Sequence, residues 1–360
     1  MATIHCVHGF CYLPELSPAI AARTPRIALG DFPTPVSAIR TPAGTVFVKH
    51  DEQAHPRYGG NKLRKLEFLL ADAIARERRV IATFGAAGSN HALATALHGK
   101  ALGLRTIAFL SRQARTPATS ATLAAHVKLG TRLTYLGHGG ERRRTLRETL
   151  RPLHGNVAVI PMGGSSWLGV LGFIAAAAEL RAQIAAGALP MPTRIVLPLG
   201  TMSTAIGLAL GLALTRLPVR VTAVRVVDRS IANPERLRRL GDAWSGRLTQ
   251  IDPQLDCGSW WQRIDIDESQ FGKGYAKPTA ASRAALDVAA NAGLTLENTY
   301  SGKAFAALLA TLADAGGPTL FWNTYAGKTP SLPSYGVSPT VVPAELAYLS
   351  SGGSDGLSVG

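Results

Sequence analysis

The chain has 360 residues, and its 38 Lys and Arg residues outnumber its 23 Asp and Glu residues, which gives a net charge of +15. Because 46% of the residues are hydrophobic and only 17% are charged, most of the chain can bury a large core, and extensive disorder is excluded. The length indicates one large or two medium-sized domains.

The amino-terminal residues, MATIHCVHGFCYLPEL, show no basic segment followed by an apolar one, so we expect no secretory signal. Only three cysteines occur, Cys6, Cys11 and Cys257, which predicts a cytoplasmic protein without a disulfide scaffold. Metal-capable side chains stand close together at His5, Cys6, His8 and Cys11. Their spacing lacks the paired ligands of the usual zinc sites, so we expect no metal site here.

Short runs of β-branched and apolar residues alternate with longer runs of helical periodicity along most of the chain. Strands are predicted at Thr45–Lys49, Val80–Phe84, Thr106–Leu110, Arg132–Leu136, Val157–Ile160, Ile195–Leu199, Arg220–Val227 and Thr319–Asn323. Helices are predicted at Asn61–Glu77, Asn90–Leu102, Ala118–Leu129, Glu141–Leu150, Leu168–Ala186, Thr204–Leu217, Thr279–Ala292 and Gly302–Ala315. This alternation is typical of an α/β protein with parallel strands, whose ligands bind at the carboxyl ends of the strands. We assign no element to residues 234–274.

One uncharged stretch is long enough to cross a bilayer, because residues 195–215 contain no charged side chain. Pro198, Gly200 and the hydroxyl residues that follow divide it into a short strand, a polar turn and a helix. We therefore interpret it as part of a buried core and not as a membrane span.

The densest basic run is GERRRTLRETLR, residues 140–151. On a helix Arg143, Arg147 and Arg151 share one face, and two glutamates supply local partners. Such a face could attract nucleic acid or another polyanion. We favour a solvated helix surface, because basic residues are scattered widely and no groove-reading motif accompanies them.

The junction YGGNKLRK, residues 58–65, places Lys62 in the first turn of a predicted helix. The positive potential of a helix start disfavours a protonated amine and would make Lys62 more nucleophilic. From the spacing alone, a surface lysine near a helix start is the favoured interpretation.

Two further strand-to-helix junctions have the composition of anion-binding loops. In FGAAGSNH, residues 84–91, Ser89 or Asn90 would cap the next helix and leave N–H groups for a carboxylate, although such caps also occur without a ligand. In LGTMSTAIG, residues 199–207, hydroxyls at a helix start suit a phosphate. The latter lacks the lysine of a nucleoside-triphosphate loop and the spacing of a dinucleotide fingerprint. Together, an amine, a carboxylate site and a phosphate site are what a pyridoxal-phosphate enzyme requires.

Several motifs, in this order and spacing, resemble the fold type II pyridoxal-phosphate enzymes, specifically the family of 1-aminocyclopropane-1-carboxylate deaminase and D-cysteine desulfhydrase. They are FPTPV (32–36), GGNKLRKLEFLLADA (59–73), GSNHA (88–92), PMGGSSWLGVLGF (161–173), GYAKP (274–278) and TYSGKAF (299–305). The resemblance implies a tryptophan synthase β-like fold of two three-layer α/β/α domains with mainly parallel sheets. We expect a large cofactor-binding domain from residues 1–50 and 161–345 and a small domain from 51–160. The tail at 346–360 ends in SSGGSDGLSVG, which predicts disorder.

The resemblance also implies the site residues. Lys62 would hold the cofactor as a Schiff base, Asn90 would bond the phenolic oxygen of its ring, and Thr324 would face the pyridine nitrogen. The phosphate loop would consist of Gly200, Thr201, Met202, Ser203 and Thr204. The substrate would meet Ser89, Asn90, His91, Gly164, Ser165, Tyr275 and Tyr300. The catalytic residues would be Lys62, Ser89 and Tyr300.

This sequence departs from the family pattern at several positions. Met202 and Ser203 replace residues of a loop that is usually richer in glycine, and Ser301 stands where the deaminases have a glutamate. Lys273 and Tyr325 would border the substrate where smaller residues are common. A hydroxyl near the ring nitrogen stabilises a pyridinium less than a carboxylate does, which favours elimination of a good leaving group over ring opening.

The resemblance therefore implies a lyase that acts on a small amino acid, with pyruvate and ammonia as the products of β-elimination. The alternatives are a 1-aminocyclopropane-1-carboxylate deaminase, a β-replacement synthase and a non-catalytic paralogue that binds a polyanion. We expect a homodimer that uses pyridoxal 5'-phosphate and associates with neither membrane nor nucleic acid.

Overall fold

The computed structural model describes residues 11–327, 330 and 341–350. The chain divides into two compact units, and their described residues are 11–68 and 165–327 in unit 1, and 69–164, 330 and 341–350 in unit 2. The boundaries therefore differ from the predicted ones at residues 51 and 161, and residues 330 and 341–345, which were predicted to belong to the large domain, fall in unit 2. Residues 51–68 belong to unit 1 because the backbone of this segment bonds to other parts of that unit, for example from Gly59 N to Ala326 O at 3.1 Å.

Unit 1 contains a six-stranded sheet in the order β1-β2-β10-β7-β8-β9. Its strands are β1 (Val36–Thr41), β2 (Gly44–His50), β7 (Arg194–Leu199), β8 (Arg220–Arg225), β9 (Ile264–Asp267) and β10 (Thr319–Asn323). The β1 strand is antiparallel to β2, and the other neighbours are parallel. The central strands β7 and β10 are almost completely buried and read as continuous apolar runs, as expected for a sheet covered on both faces.

The helices of unit 1 are α1 (Leu13–Leu16), α2 (Pro18–Arg23), α7 (Trp167–Ala185), α8 (Ser203–Leu214), α9 (Pro234–Ile251), α10 (Ala280–Asn291) and α11 (Ser301–Ala310), together with the first half of α3 (Lys62–Ala75). The α7 and α8 helices pack closely, since a Cβ at Gly207 would lie 2.6 Å from the Phe173 Cβ. They pack beside β7 in the largest hydrophobic cluster of the unit.

Unit 2 contains a parallel four-stranded sheet in the order β5-β4-β3-β6. Its strands are β3 (Val80–Ala86), β4 (Arg105–Ser111), β5 (Arg132–Tyr135) and β6 (Val157–Ile160), and its helices are α4 (Asn90–Ala101), α5 (Pro117–Leu129) and α6 (Gly139–Leu150). Each strand is followed by a helix or a short 3₁₀ turn, which is the arrangement of a doubly wound α/β unit. The predicted α/β class with parallel strands is thus confirmed.

The uncharged stretch 195–215 forms β7, a turn and α8, as interpreted from the sequence. In the described part of the chain one helix, α7, is long and apolar enough to span a membrane, and 67% of its most apolar window is buried inside the protein. A core helix of a soluble protein passes the same test. The α6 helix exposes its arginines and buries Thr149, which agrees with the interpretation as a solvated surface.

The predicted disordered tail requires a correction at its beginning. Residues Ala344–Leu349 form a 3₁₀ helix, and Leu346 and Leu349 are buried in a hydrophobic cluster of unit 2 with Leu110 and Leu123. These leucines stand before the low-complexity segment and bury apolar area, which disordered sequences lack. Residues 351–360 lie outside the described part of the chain.

Candidate active site

The turn before Lys62 is held in place by backbone contacts within unit 1. Gly60 has φ of +83°, and a Cβ at this position would lie 2.7 Å from the Tyr325 carbonyl oxygen, so only glycine fits here. Gly60 N donates to Asp51 O at 2.7 Å, and Asn61 N donates to Thr324 O at 3.4 Å. Lys62 follows as the first residue of α3, and burial lowers the pKa of its amine to about 8. About a tenth of this amine is therefore unprotonated at pH 7, and burial is the cause of the lowered pKa.

The hydroxyl loop, which we define as residues 200–204, meets this turn. Asn61 Nδ2 donates to Thr204 Oγ1 at 3.1 Å, so the residue before Lys62 contacts the start of α8. Met202 is the N-cap residue of α8, with φ of +69° and no side-chain cap bond. The first turn of α8 thus presents backbone N–H groups and the buried hydroxyls of Ser203 and Thr204, which together suit an anion.

Lys65 also belongs to the site, which the sequence analysis missed. Its side chain is buried, and Nζ donates to Ser203 Oγ at 2.8 Å. Burial, and next the charge of Lys62, lowers its pKa. An anion bound at the hydroxyl loop would oppose both effects. The sequence signal was its position three residues after Lys62, since residues i and i+3 share a helix face.

Ser165 was predicted to bind substrate, but its hydroxyl lies against the hydroxyl loop. Ser165 Oγ donates to Thr201 O at 2.7 Å and lies 2.8 Å from Ser203 Oγ. These hydrogen bonds therefore stabilise the conformation of the predicted phosphate loop.

Two tyrosines lie at the same edge of unit 1. The hydroxyls of Tyr275 and Tyr300 are 2.8 Å apart, and a Cβ at Gly200 would lie 3.5 Å from Tyr300 Cε1. Burial raises the pKa of both phenols, and the neighbouring Tyr275 hydroxyl and the Glu297 charge raise the pKa of Tyr300 further. Both side chains therefore remain protonated over the working pH range and can donate a hydrogen bond or a proton.

Glu297 is a second residue that the sequence analysis missed. Its carboxylate accepts hydrogen bonds from the backbone N–H groups of Thr299, Tyr300 and Ser301 at 2.6–2.9 Å, which caps the start of α11. Ser301 Oγ in turn accepts from Glu297 N at 2.9 Å. The Ser301 hydroxyl is thus engaged at its own helix start, while Thr324, which directly follows β10, lies beside the Lys62 turn.

A cluster of buried charges lies directly behind this edge and consists of Lys49, Asp51, Arg64 and Glu179. The Arg64 guanidinium bonds Asp51 at 2.8 Å and Glu179 at 2.8 Å, and Lys49 bonds Glu179. Asp51 Oδ2 also accepts from Trp322 Nε1 at 2.7 Å. The cluster joins β2, β10, α3 and α7, and it fixes the segment whose backbone holds Gly60.

The remaining predicted site residues lie in unit 2. Ser89 caps α4 by accepting from Ala92 N at 3.2 Å, as the sequence predicted. Asn90 is the first residue of α4, and Gly164 ends a short 3₁₀ turn with φ of +66°. His91 is buried in the unit, with Nε2 3.2 Å from Thr83 Oγ1.

Two other features of the described chain lie outside this site. Within residues 11–327, 330 and 341–350, no group of three or more His, Cys, Asp and Glu side chains could hold a metal. Of the four amino-terminal candidates, only Cys11 lies in this range. A cavity of about 590 Å³ lies near the start of β8 and the end of α8, and none of the predicted site residues lines it.

The unit 1 site fits pyridoxal phosphate by its donor set. A lysine with a lowered pKa, an uncapped helix start lined with hydroxyls and a buried second lysine supply an amine and an anion site on adjacent segments. The fold and this site define the chain as a pyridoxal-phosphate enzyme of fold type II.

The comparison with protein families agrees. The sequence profile of the family described as pyridoxal-phosphate dependent enzyme matches residues 27–322, and the chain belongs to this family. Pyridoxal phosphate is accordingly its cofactor.

Similar curated proteins cover most of the chain. Nocardicin C-9' epimerase of Nocardia uniformis subsp. tsuyamanensis is 34% identical over 310 residues, which are 83% of this chain and 92% of that protein. A putative 1-aminocyclopropane-1-carboxylate deaminase of Pyrococcus abyssi is 32% identical over 88% of this chain and 96% of its own length. D-cysteine desulfhydrase of Salmonella paratyphi A is 31% identical over 87% and 97%. The resemblance to the lyase and deaminase group is confirmed.

Among solved structures, an ACC deaminase homologue superposes with a TM-score of 0.73 at 26% identity and covers 87% of this chain and 94% of its own. A threonine deaminase superposes with a TM-score of 0.59 at 17% identity, covering 89% of this chain and 98% of its own, which bears on the fold alone. The predicted fold type II class is confirmed.

Proposed function

We propose that this enzyme catalyses β-elimination from a small amino acid with a sulfur leaving group, of which D-cysteine is the model substrate. The observation that carries the proposal is that the Lys62 turn and the Tyr275–Tyr300 pair both meet the hydroxyl loop, the turn through Asn61 and the pair through Gly200. A buried amine with a lowered pKa and two protonated phenols therefore belong to one site. Elimination requires such a base for the Cα proton and such an acid for the departing group. The similarity to a D-cysteine desulfhydrase supports this choice.

The proposed roles combine the family resemblance with the contacts within unit 1. Bound pyridoxal phosphate supplies an electron sink that stabilises negative charge at Cα. Lys62 attaches the cofactor in the resting enzyme and takes the proton from Cα, while Tyr300 donates a proton to the sulfur as the Cβ–S bond breaks. The products are hydrogen sulfide and an enamine, which takes up water to give pyruvate and ammonia. Thr324 would face the ring nitrogen, and Ser89 and Asn90 would meet the substrate carboxylate and the ring oxygen.

We assign the cofactor phosphate to the hydroxyl loop, with Lys65 as its cationic partner. The support is the group of hydrogen-bond donors at the start of α8. The side chains of Ser165, Asn61 and Lys65 all bond to the hydroxyls of this helix start. Such charge-assisted hydrogen bonds are stronger than neutral ones.

The Thr204→Val substitution tests this assignment. The variant should retain cofactor less tightly by about 1–3 kcal/mol, because it loses one hydroxyl bond to a charged group. Equilibrium dialysis of the purified variant measures this loss. The matched control is Thr215→Val, which removes a buried threonine hydroxyl at the opposite end of α8, where it donates to Gly211 O at 2.7 Å. Equal cofactor affinity in the two variants would place the phosphate elsewhere.

Substrate preference is tested by comparing kcat/KM for D-cysteine, L-cysteine, β-chloroalanine and 1-aminocyclopropane-1-carboxylate. The last compound has no hydrogen on Cα, so a site built around Cα proton removal gains nothing from Lys62 as a base there. We expect the β-substituted substrates to release ammonia, the product common to both reactions, at least about tenfold faster than the cyclopropane substrate, which corresponds to about 1.4 kcal/mol in the barrier.

Two outcomes would contradict the proposal. Faster turnover of the cyclopropane substrate would assign the deaminase activity named for the Pyrococcus abyssi relative. Inversion at Cα without pyruvate would assign an epimerase, the activity named for the Nocardia relative.

We further propose that the enzyme works as a cytoplasmic homodimer on free amino acids. The support is the family membership and the small number of cysteines, of which Cys11 and Cys257 are free thiols. Light scattering of the purified holoenzyme distinguishes a dimer from a monomer.

A further inference from the structure

The loop that carries Tyr275 has an unusual backbone. Residues 271–277 lie in the connection between β9 and α10. Three of them have φ between +56° and +127°, namely Gly272, Gly274 and Ala276. Ala276 is not a glycine, and a non-glycine residue in the left-handed region is strained by the contact between its Cβ and the backbone. This loop therefore needs contacts from outside itself to keep its conformation.

Lys303 supplies such contacts. It lies on α11, three residues after Tyr300, and its side chain is completely buried. Its Nζ donates to Phe271 O at 2.7 Å and to Gly274 O at 3.2 Å. Gly274 directly precedes Tyr275, and α11 begins directly after Tyr300. The Lys303 ammonium group therefore connects the helix that follows Tyr300 to the backbone beside Tyr275.

The burial of a charged group at Lys303 also indicates that its contacts with this loop are important. Burial of an ammonium group is unfavourable unless it is well solvated by the protein, and burial lowers the pKa of Lys303 while Glu297 opposes this shift. The two hydrogen bonds of the side chain are both donated to carbonyl oxygens of this loop. The Arg225 guanidinium also packs against Phe271 and lies 4.5 Å from the centre of its ring.

We infer that Lys303 is a positioning residue. Its buried ammonium fixes loop 271–277 and thereby sets the 2.8 Å contact between the Tyr275 and Tyr300 hydroxyls. The inference rests on the proposed role of the tyrosine pair in the reaction. It assigns to Lys303 an effect on turnover that acts through another side chain, since its own polar contacts are with backbone.

The test compares Lys303→Met with Lys277→Met in the holoenzyme. Methionine keeps the length of the side chain without donors, and Lys277 is an exposed lysine at the end of the same loop. In Lys303→Met, amide hydrogen exchange of residues 272–276 should accelerate at least about tenfold, because the loop opens more readily. The value of kcat should fall by a similar factor while the cofactor remains bound, and Lys277→Met should match the unmodified enzyme in both.

A double substitution separates positioning from general loss of structure. If Lys303 acts through the tyrosines, then Lys303→Met should reduce kcat little further in a Tyr275→Phe background. If Lys303→Met does not fold, Lys303→Gln keeps one donor for a loop carbonyl and should show smaller changes of the same kind.

Unchanged loop exchange in a folded Lys303→Met or Lys303→Gln variant would overturn the inference. Failure of the proposed function has a different signature, namely full activity of Tyr300→Phe, and in that case the exchange measurement still decides whether Lys303 holds the loop.

Discussion

Replacement of Lys62 by alanine is expected to remove turnover almost completely, by about 10³-fold or more, because this single amine is assigned both the attachment of the cofactor and the removal of the Cα proton. The local structure should survive, since the Gly60 and Asn61 bonds that form the turn are made by backbone and by the Asn61 side chain. Steady-state pyruvate release measures the loss. Borohydride reduction followed by peptide mapping of the unmodified enzyme should find the pyridoxyl group on Lys62.

Lys65 provides the control for this experiment, because it is a buried lysine one turn further along α3. Lys65→Met should weaken cofactor binding but should leave a reducible adduct at Lys62 when excess cofactor is supplied. A pyridoxyl group on Lys65, or on any lysine other than Lys62, would contradict the assignment.

The second large effect concerns the buried charge cluster. Arg64→Met should destabilise unit 1 by about 3–5 kcal/mol, because it leaves the Asp51 carboxylate without its cation and removes one of the two cations at Glu179. Burial alone would raise the pKa of Glu179, but the charges of Arg64 and Lys49 lower it to about 2. Urea unfolding of the holoenzyme, followed by circular dichroism, measures the change in the free energy of unfolding.

The pH dependence of this effect has a definite sign. A carboxylate whose pKa is depressed to about 2 in the folded state contributes stability above its ordinary pKa of 4.5, and this contribution is lost as the pH falls towards 2. Without Arg64 the folded-state pKa of Glu179 rises, so acid unfolding should begin at a higher pH in Arg64→Met than in the unmodified enzyme.

The control for the cluster is Arg220→Met. Arg220 also forms an ion pair, with Asp265 across β8 and β9 at 2.5 Å, but both side chains are more than half exposed. Water screens this pair, so the expected loss is about 0–1 kcal/mol. A loss of equal size in the two variants would mean that burial is not what makes the Arg64 cluster important.

A comparison of predicted and observed elements shows which sequence patterns are sufficient to predict a strand or a helix. Each of the eight predicted strands is present, because buried parallel strands are continuous runs of β-branched and apolar residues that stand out without any tertiary information. The β1 strand was not predicted because it is an edge strand with largely exposed side chains, so its sequence carries little periodic signal. The α9 helix was also not predicted, although Leu237, Gly241, Trp244 and Leu248 follow a helical period and Asn233 caps its start.

The sequence by itself determined the family, through its motifs, and the fold class, through its alternating strands and helices. It also located the Lys62 turn and the hydroxyl loop, because both depend on local turn chemistry. Glycine at position 60 and hydroxyls at a helix start are needed wherever the chain makes that turn. Only the tertiary structure decided which distant side chains join them. Lys65, Glu297 and Lys303 enter the site region through helix faces and long-range contacts, such as the bond from Lys65 to Ser203, 138 residues away. A buried charge has no local sequence pattern, since its partners are fixed by packing alone.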